Sequence, residues 1–282
     1  MTMKMKDFAK PGEYGLADLL CCAAAREVRD NEVVFAGTGL PMVAIMLAQK
    51  THAPNLKLIF EAGTLDGRPP QLPTSVGDAR CEVGASRASG LYDTFAIAQR
   101  GYVDLGFLGG AEVDQYGNVN TTAIGDYLAP ELRLTGSGGN PDINSFASRT
   151  VFIMVHEKRR FTEQVSYITS PGWRVKKWPE GEMVPRQSHY GSAYRGGPSA
   201  VISTAGVFRF DEESGLMYLD TCHPGQTPEG IREQCQFALD ISRVQGETPP
   251  PTYEELHLIH EELDPEEIFI PKVKLDNPPT PS

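Results

Sequence analysis

Positive charge is in short supply in this sequence: 26 Lys and Arg stand against 37 Asp and Glu in 282 residues, a formal net charge of −11. Nucleic acid and anionic membranes are bound by clustered cations, so neither is an expected partner. The one dense basic cluster, His156-Glu157-Lys158-Arg159-Arg160, reads first as a solvated turn after a strand over residues 151–155 and second as a phosphate contact. Cysteine is sparse and unpatterned. Five residues without CxxC spacing argue against a disulfide framework and for reduced thiols in a cytoplasmic protein. Zinc spacing is missing as well; the adjacent Cys222-His223 cannot easily chelate one metal from an extended segment, so no metal is assigned. No apolar run approaches about twenty residues, the length a membrane-spanning helix needs. The apolar stretch 19–25 follows Glu13 and Asp18 and runs into Arg26-Glu27, unlike a secretory signal. Gly37-Thr38-Gly39 lacks the third glycine of a dinucleotide fingerprint and a convincing ribose-binding acid, and there is no Walker lysine. No internal repeat is found.

What is present is an α/β pattern. Short apolar runs at 33–36, 56–60, 105–108 and 151–155 alternate with helical patterns and predict an open, mainly parallel sheet covered by helices. Leu16, Leu19, Leu20, Ala23, Ala24 and Val28 fall at helical spacing, predicting a first helix with one buried stripe and with Arg26 and Arg29 outside it. Further helices are expected over 41–50, where Pro41 suits a first turn, and over 92–100, ending before Gly101. Residues 173–198, rich in Gly, Pro and charge, show no period and predict a long excursion for packing, assembly or substrate cover. Shorter strands are expected at 201–203, 207–210 and 216–219, then a helix over 227–235 and, after the stiff Pro249-Pro250-Pro251, an amphipathic helix over 253–263. Residues 1–275 read as one domain and 276–282 as a disordered tail.

Glu61 is the most informative residue. It stands where Leu56-Lys57-Leu58-Ile59-Phe60 stops and turns through Ala62-Gly63, which puts its carboxylate at the carboxyl end of a buried strand, the edge where open α/β sheets bind ligands. A poorly solvated acid there is a candidate nucleophile or base; the alternative is an acid that caps a loop or pairs with an arginine. Three glycine-rich turns accompany it: Gly37-Thr38-Gly39-Leu40-Pro41, Gly109-Gly110-Ala111-Glu112-Val113-Asp114 and Thr135-Gly136-Ser137-Gly138-Gly139. Lacking Cβ atoms, such turns let main-chain N–H groups approach a phosphate or a developing oxyanion.

Taken in order with Phe60-Glu61-Ala62-Gly63, Ser75-Val76-Gly77-Asp78, Tyr116-Gly117-Asn118-Val119-Asn120, Ile124-Gly125-Asp126-Tyr127, His156 to Phe161 and Thr169-Ser170-Pro171-Gly172-Trp173, these turns resemble the beta subunits of class I CoA-transferases of the glutaconate type. The resemblance covers most of the chain. It implies that Glu61 is the nucleophile, with Ala62 a mild departure from the Ser or Asn that follows the family's glutamate. It implies that Gly138 and Gly139, and with them Gly37 and Gly39, bind an oxyanion or CoA, and that Ala62, Gly109, Gly110 and Asp126 line the site. The chemistry runs through an acyl anhydride and a glutamyl-CoA thioester, with CoA as substrate and no permanently bound cofactor, and it requires oxyanion donors and exclusion of water. An alpha-type partner subunit is implied, and glutaconate, another dicarboxylate or a 3-oxo acid remain as substrates. Two rival readings stand beside it: an acyl-CoA hydrolase or glutaconyl-type decarboxylase on the same fold, and a non-catalytic CoA-ligand sensor or assembly subunit. Among the other polar residues, Asp114, Asn118 and Asn120 are expected to order a turn. Asp126 and Tyr127 either face the site or are satisfied elsewhere. Trp173 reads as a packing anchor, His156 as structural, and His223 is unassigned.

Overall fold

The computed structural model describes residues 7–177, 179, 181–191 and 194–273; the tail expected at 276–282 lies outside them. Val33–Ala36 (β1) pairs in parallel with Lys57–Phe60 (β2), beyond which the sheet ends in two short antiparallel strands, Thr64–Leu65 (β3) and Arg87–Ala88 (β4). On the other flank of β1 lies Leu105–Gly109 (β5), then Arg149–Met154 and Pro198–Ser203, all parallel. Gly206–Phe210 and Met217–Cys222 extend that edge antiparallel, completing a nine-stranded sheet. The expected short-stranded C-terminal part is thus the far edge of the same sheet.

The central strands read as unbroken apolar runs because both faces are covered. Leu58 and Phe60 enter the core under Leu16–Ala25 (α1) and Leu40–Lys50 (α2), while Ile59 between them enters the opposite core. That second core is closed by Leu91–Gln99 (α3) and Asn140–Phe146 (α4). The chain leaves β1 for β2 on one side and returns to β5 on the other. All five parallel strands point their carboxyl ends to one edge, and the crevice between β1 and β5 is the topological switch point where such sheets take ligands.

Three expectations need correction. The first helix is buried nearly all round, not along a stripe, because the C-terminal segment packs over it; Leu16 is the exposed residue at 47%. Arg26 is not outside: its guanidinium donates to the Pro250 carbonyl at 2.8 Å and to Glu255 at 2.9 Å, tying the proline linker down. Asp18 is buried in the same place, accepting from Gly15 N–H at 2.8 Å and pairing with His260 at 2.8 Å. Residues 173–198 are not without regular structure: Arg174–Lys176 pairs antiparallel with Met183–Pro185 and leads into a helical turn, Arg186–Tyr190. The last helix runs α-helical over Tyr253–His257, capped reciprocally by Thr252 and Glu255, then widens into a π-turn over Leu258–Leu263.

Candidate active site

Glu61 is the residue that follows β2, half-buried at the carboxyl edge of the sheet. The turn after it needs glycine. Gly63 has φ 124°, its N–H donates to the Phe60 carbonyl at 3.0 Å, and a Cβ there would sit 2.4 Å from the Ser89 carbonyl oxygen. Ser89 clamps the turn by donating its N–H and its hydroxyl to the Gly63 carbonyl, at 3.0 and 2.8 Å.

Burial pushes the Glu61 carboxyl above its ordinary pKa, against a weaker opposing pull from the Gly139 N–H that faces it. Among the described residues no lysine or arginine is paired with it, so the reading of a plain ion pair does not apply there. Gly139 approaches so closely that a Cβ on it would lie 2.9 Å from Glu61 Oε1 and 2.6 Å from Phe95 Cζ. A side chain on residue 139 would have to displace the Phe95 ring and the Glu61 carboxylate. The same residue is the N-cap of α4, with Pro141 in the first turn.

Glu61 opens into a cleft of about 1010 Å³ at the switch point. Glycine-rich turns form much of its wall, Gly37 and Thr38 after β1, Gly109 to Ala111 at the end of β5, and Thr135 to Gly139 before α4, beside apolar residues such as Phe35, Phe107, Leu108 and Ile153. The last two walls are joined where Asn140 Nδ2 donates to the Gly109 carbonyl at 3.1 Å. Of the residues proposed from sequence, Glu61, Gly37, Gly109, Gly110, Gly138 and Gly139 line this cleft. Gly39, Ala62 and Asp126 are not in its lining. Gly39 caps α2 at φ 91°, Ala62 is exposed on the turn, and Asp126 folds its carboxylate back onto the N–H groups of Leu128 and Ala129 at 2.8 and 3.1 Å.

Two basic lining residues were not among the site residues proposed from sequence. Arg133 comes from a hairpin, Ala123–Gly125 with Pro130–Arg133, that no strong pattern announced. Arg160, read from sequence first as part of a solvated turn and second as a phosphate contact, is brought to the cleft by a pairing remote in sequence: Val113 N–H donates to the Arg160 carbonyl at 2.7 Å, and Thr162 N–H to the Val113 carbonyl at 2.9 Å.

Behind the wall stands a saturated polar layer. Asp114 accepts from Tyr116 N–H, Asn118 N–H and Asn118 Nδ2 at 2.9, 3.0 and 2.8 Å, and burial still drives its carboxyl up to about 6. Asn118 Oδ1 accepts from Gly172 N–H at 2.7 Å, and Asn120 Nδ2 donates to Glu112 Oε2 at 2.7 Å. These residues order the turn, as expected. Trp173 Nε1 donates to the Pro198 carbonyl at 2.8 Å and anchors the excursion. His156 lies between Phe161 and Phe208, and burial lowers its pKa. His223 bonds Thr248 Oγ1 at 2.9 Å and the Ser203 carbonyl at 2.7 Å, and burial lowers it to about 4. Neither is in the cleft's lining. Among the described residues, no group of three or more His, Cys, Asp and Glu is placed to hold a metal, and no helix is long and apolar enough to cross a membrane.

Known proteins share this fold. A family profile described as coenzyme A transferase matches residues 20–234. The chain is 37% identical to the beta (B) subunit of glutaconate CoA-transferase from Acidaminococcus fermentans, over 91% of this chain and 95% of that one. The crystal structure of that organism's glutaconate coenzyme A-transferase superposes with a TM-score of 0.83, covering 94% of this chain and 99% of its counterpart at 33% identity. Identity to the corresponding subunit of 3-oxoadipate CoA-transferase from Pseudomonas knackmussii is 34%, over 87% of this chain and 92% of the relative. The decarboxylase AibA/AibB also superposes, with a TM-score of 0.75 over 90% of this chain and 97% of its own at 27% identity.

Proposed function

The chain belongs to the coenzyme A transferase family, and from that premise we propose that it is the beta-type, glutamate-bearing subunit of a cytoplasmic CoA-transferase, with Glu61 as nucleophile and an alpha-type subunit as partner. The observation that carries the assignment of Glu61 is its carboxylate, partly withdrawn from water in the switch-point cleft, without a cation partner among the described residues and facing the Gly139 main chain.

The chemistry follows from that placement. A Glu61 oxygen attacks the thioester carbonyl, the carbonyl electron pair moves to oxygen, and the collapse expels CoA thiolate, leaving an acyl-glutamyl anhydride. The thiolate then attacks the glutamyl carbonyl and releases the first acid, so that Glu61 carries CoA as a thioester. An acceptor carboxylate runs the two steps in reverse. One thioester is present before and after, so no external energy source is needed. Glycine N–H groups at 138 and 139 are the oxyanion donors of this scheme, because main chain preset beside the nucleophile stabilises developing charge without reorganising. Partial desolvation serves the attack, since a carboxylate stripped of hydration is a better nucleophile, and the partner subunit completes the exclusion of water from the open cleft.

CoA enters as substrate, and the scheme uses no permanently bound cofactor. The relatives' substrates, glutaconate and 3-oxoadipate, are dicarboxylates, and we place this enzyme's acid in that class. The likeness to a decarboxylase names the rival reaction; a decarboxylase has no need of a glutamyl thioester. The deciding experiment is intact mass of the chain, purified with its alpha-type partner, after incubation with acyl-CoA and borohydride. A mass loss localised to Glu61, as reduction of a thioester to an alcohol gives, is the expected result. Product formation without it would overturn transfer in favour of hydrolysis or decarboxylation.

A further inference from the structure

Glu61 is the only acid among the described residues lining the cleft, and Arg133 and Arg160 line it too. The lining is therefore cationic in a chain whose net charge is −11. Once Glu61 is acylated its charge is gone, and the lining then carries two guanidinium groups, that of Arg160 paired with Glu157 behind it, and no acid of its own. Such an enclosure favours a ligand with anionic oxygens beyond the carbonyl that reacts.

Both arginines are held in place without being used up. Arg160 donates Nε to Glu157 Oε2 at 3.1 Å and a terminal nitrogen to the Ala111 carbonyl at 3.4 Å. Ala111 lies two residues past Gly109, whose carbonyl is bonded to Asn140 beside Gly139, so Arg160 is fastened to the wall that meets Glu61. Arg133 donates a terminal nitrogen to the Tyr127 carbonyl at 3.0 Å and lies over the Tyr127 ring at 5.0 Å. A guanidinium offers five N–H donors in a planar fork, and these contacts leave enough of them on each arginine for bidentate capture of a carboxylate or phosphate.

We propose that Arg160 and Arg133 are specificity-determining residues of the cleft, binding an anionic oxygen group of the substrate away from the reacting thioester. That group is either the far carboxylate of a dicarboxylic acid or a phosphate of CoA. The proposal rests on the reading of the cleft as a CoA-transfer site.

The test is equilibrium binding to the complex with its partner subunit, in a Glu61→Gln background so that no chemistry intervenes. Glutarate, butyrate, CoA and pantetheine serve as probes, with Arg160→Ala, Arg160→Lys and Arg133→Ala compared after circular dichroism shows each folded. Loss of about 10- to 100-fold in affinity for glutarate, with butyrate unchanged, assigns the arginines to a far carboxylate. The same loss for CoA, with pantetheine unchanged, assigns them to phosphate. In either case Arg160→Lys should recover only part of the loss, because an ammonium cannot make the forked pair. Unchanged affinity for every probe, or no binding of any probe by the parent complex, would overturn the proposal. Failure of the CoA-transfer reading is separate: it shows as a missing borohydride label at Glu61 in the unmutated complex.

Discussion

Glu61 and Glu112 are both withdrawn from water, yet only Glu112 is satisfied. Glu112 is 5% exposed and accepts from Ser166 N–H, Ser166 Oγ and Asn120 Nδ2 at 2.9, 3.0 and 2.7 Å. Glu61 faces one main-chain N–H and open cleft. The contrast extends to their surroundings: around Glu112 side chains close on one another, and around Glu61 the main chain lies bare. A carboxylate whose lone pairs are occupied contributes to the fold, whereas one whose lone pairs are kept vacant at a cost in solvation is available for a bond.

The sharpest way to break the comparison is at Glu61. Glu61→Gln should abolish turnover and the borohydride label, while the melting temperature at pH 7 rises, because the substitution removes a desolvated charge. The sign follows from linkage: a carboxyl raised in the folded state costs stability at pH values above its ordinary pKa. A fall in melting temperature would class Glu61 with the satisfied acids. Glu61→Asp, retracted by one methylene, should lose about 100-fold in kcat with assembly intact, measured by steady-state kinetics and gel filtration.

The satisfied side makes its own prediction in acid. His223, held at about 4 in the folded protein, is an ordinary imidazole near 6.5 when unfolded, so the unfolded chain binds the extra proton between those values. Stability should therefore fall as pH drops from about 6.5 toward 4, by up to about 3 kcal/mol from this residue. Urea unfolding across that range, compared with His223→Asn, measures it; equal slopes for the two proteins would refute the assignment.

Glu112→Ala strands the donors of Ser166 and should cost about 2 kcal/mol in urea unfolding, with kcat of the folded complex near the parent value. Smallest is Gly139→Ala. Gly139 has φ −82°, so the backbone tolerates alanine and the added methyl acts only by contact with Phe95 and Glu61. A loss of about 10-fold in kcat with little change in stability is expected; a variant that unfolds but keeps its kcat would place Gly139 with the packing glycines.

The strand run ending at Glu61 was legible because covered parallel strands show as unbroken apolar runs, and the acid that ends such a run stands out. The glycine turns were legible for the same reason: where main chain must come close, no other residue serves. Arg160 was legible only as a second reading, a phosphate contact, since its place depends on Val113 pairing with a segment remote in sequence. The all-round burial of α1 was not legible, because it is produced by a C-terminal segment held through Arg26 and Glu255. Asp126 was read as site lining through the family resemblance, and its Oδ1 is instead bonded by two N–H groups of its own turn.

The wall from Thr135 to Gly139 offers little for mutation to work on. A pocket drawn in side chains can be retuned one substitution at a time; one drawn in backbone has few adjustable parts, and most changes to it are losses. Diversification of an enzyme built this way should be concentrated away from the glycine turns, in its side-chain contributors and in the neighbouring subunit. A saturation scan of this wall should accordingly return near-uniform intolerance, whereas positions 133 and 160 should give graded shifts in which acids are accepted.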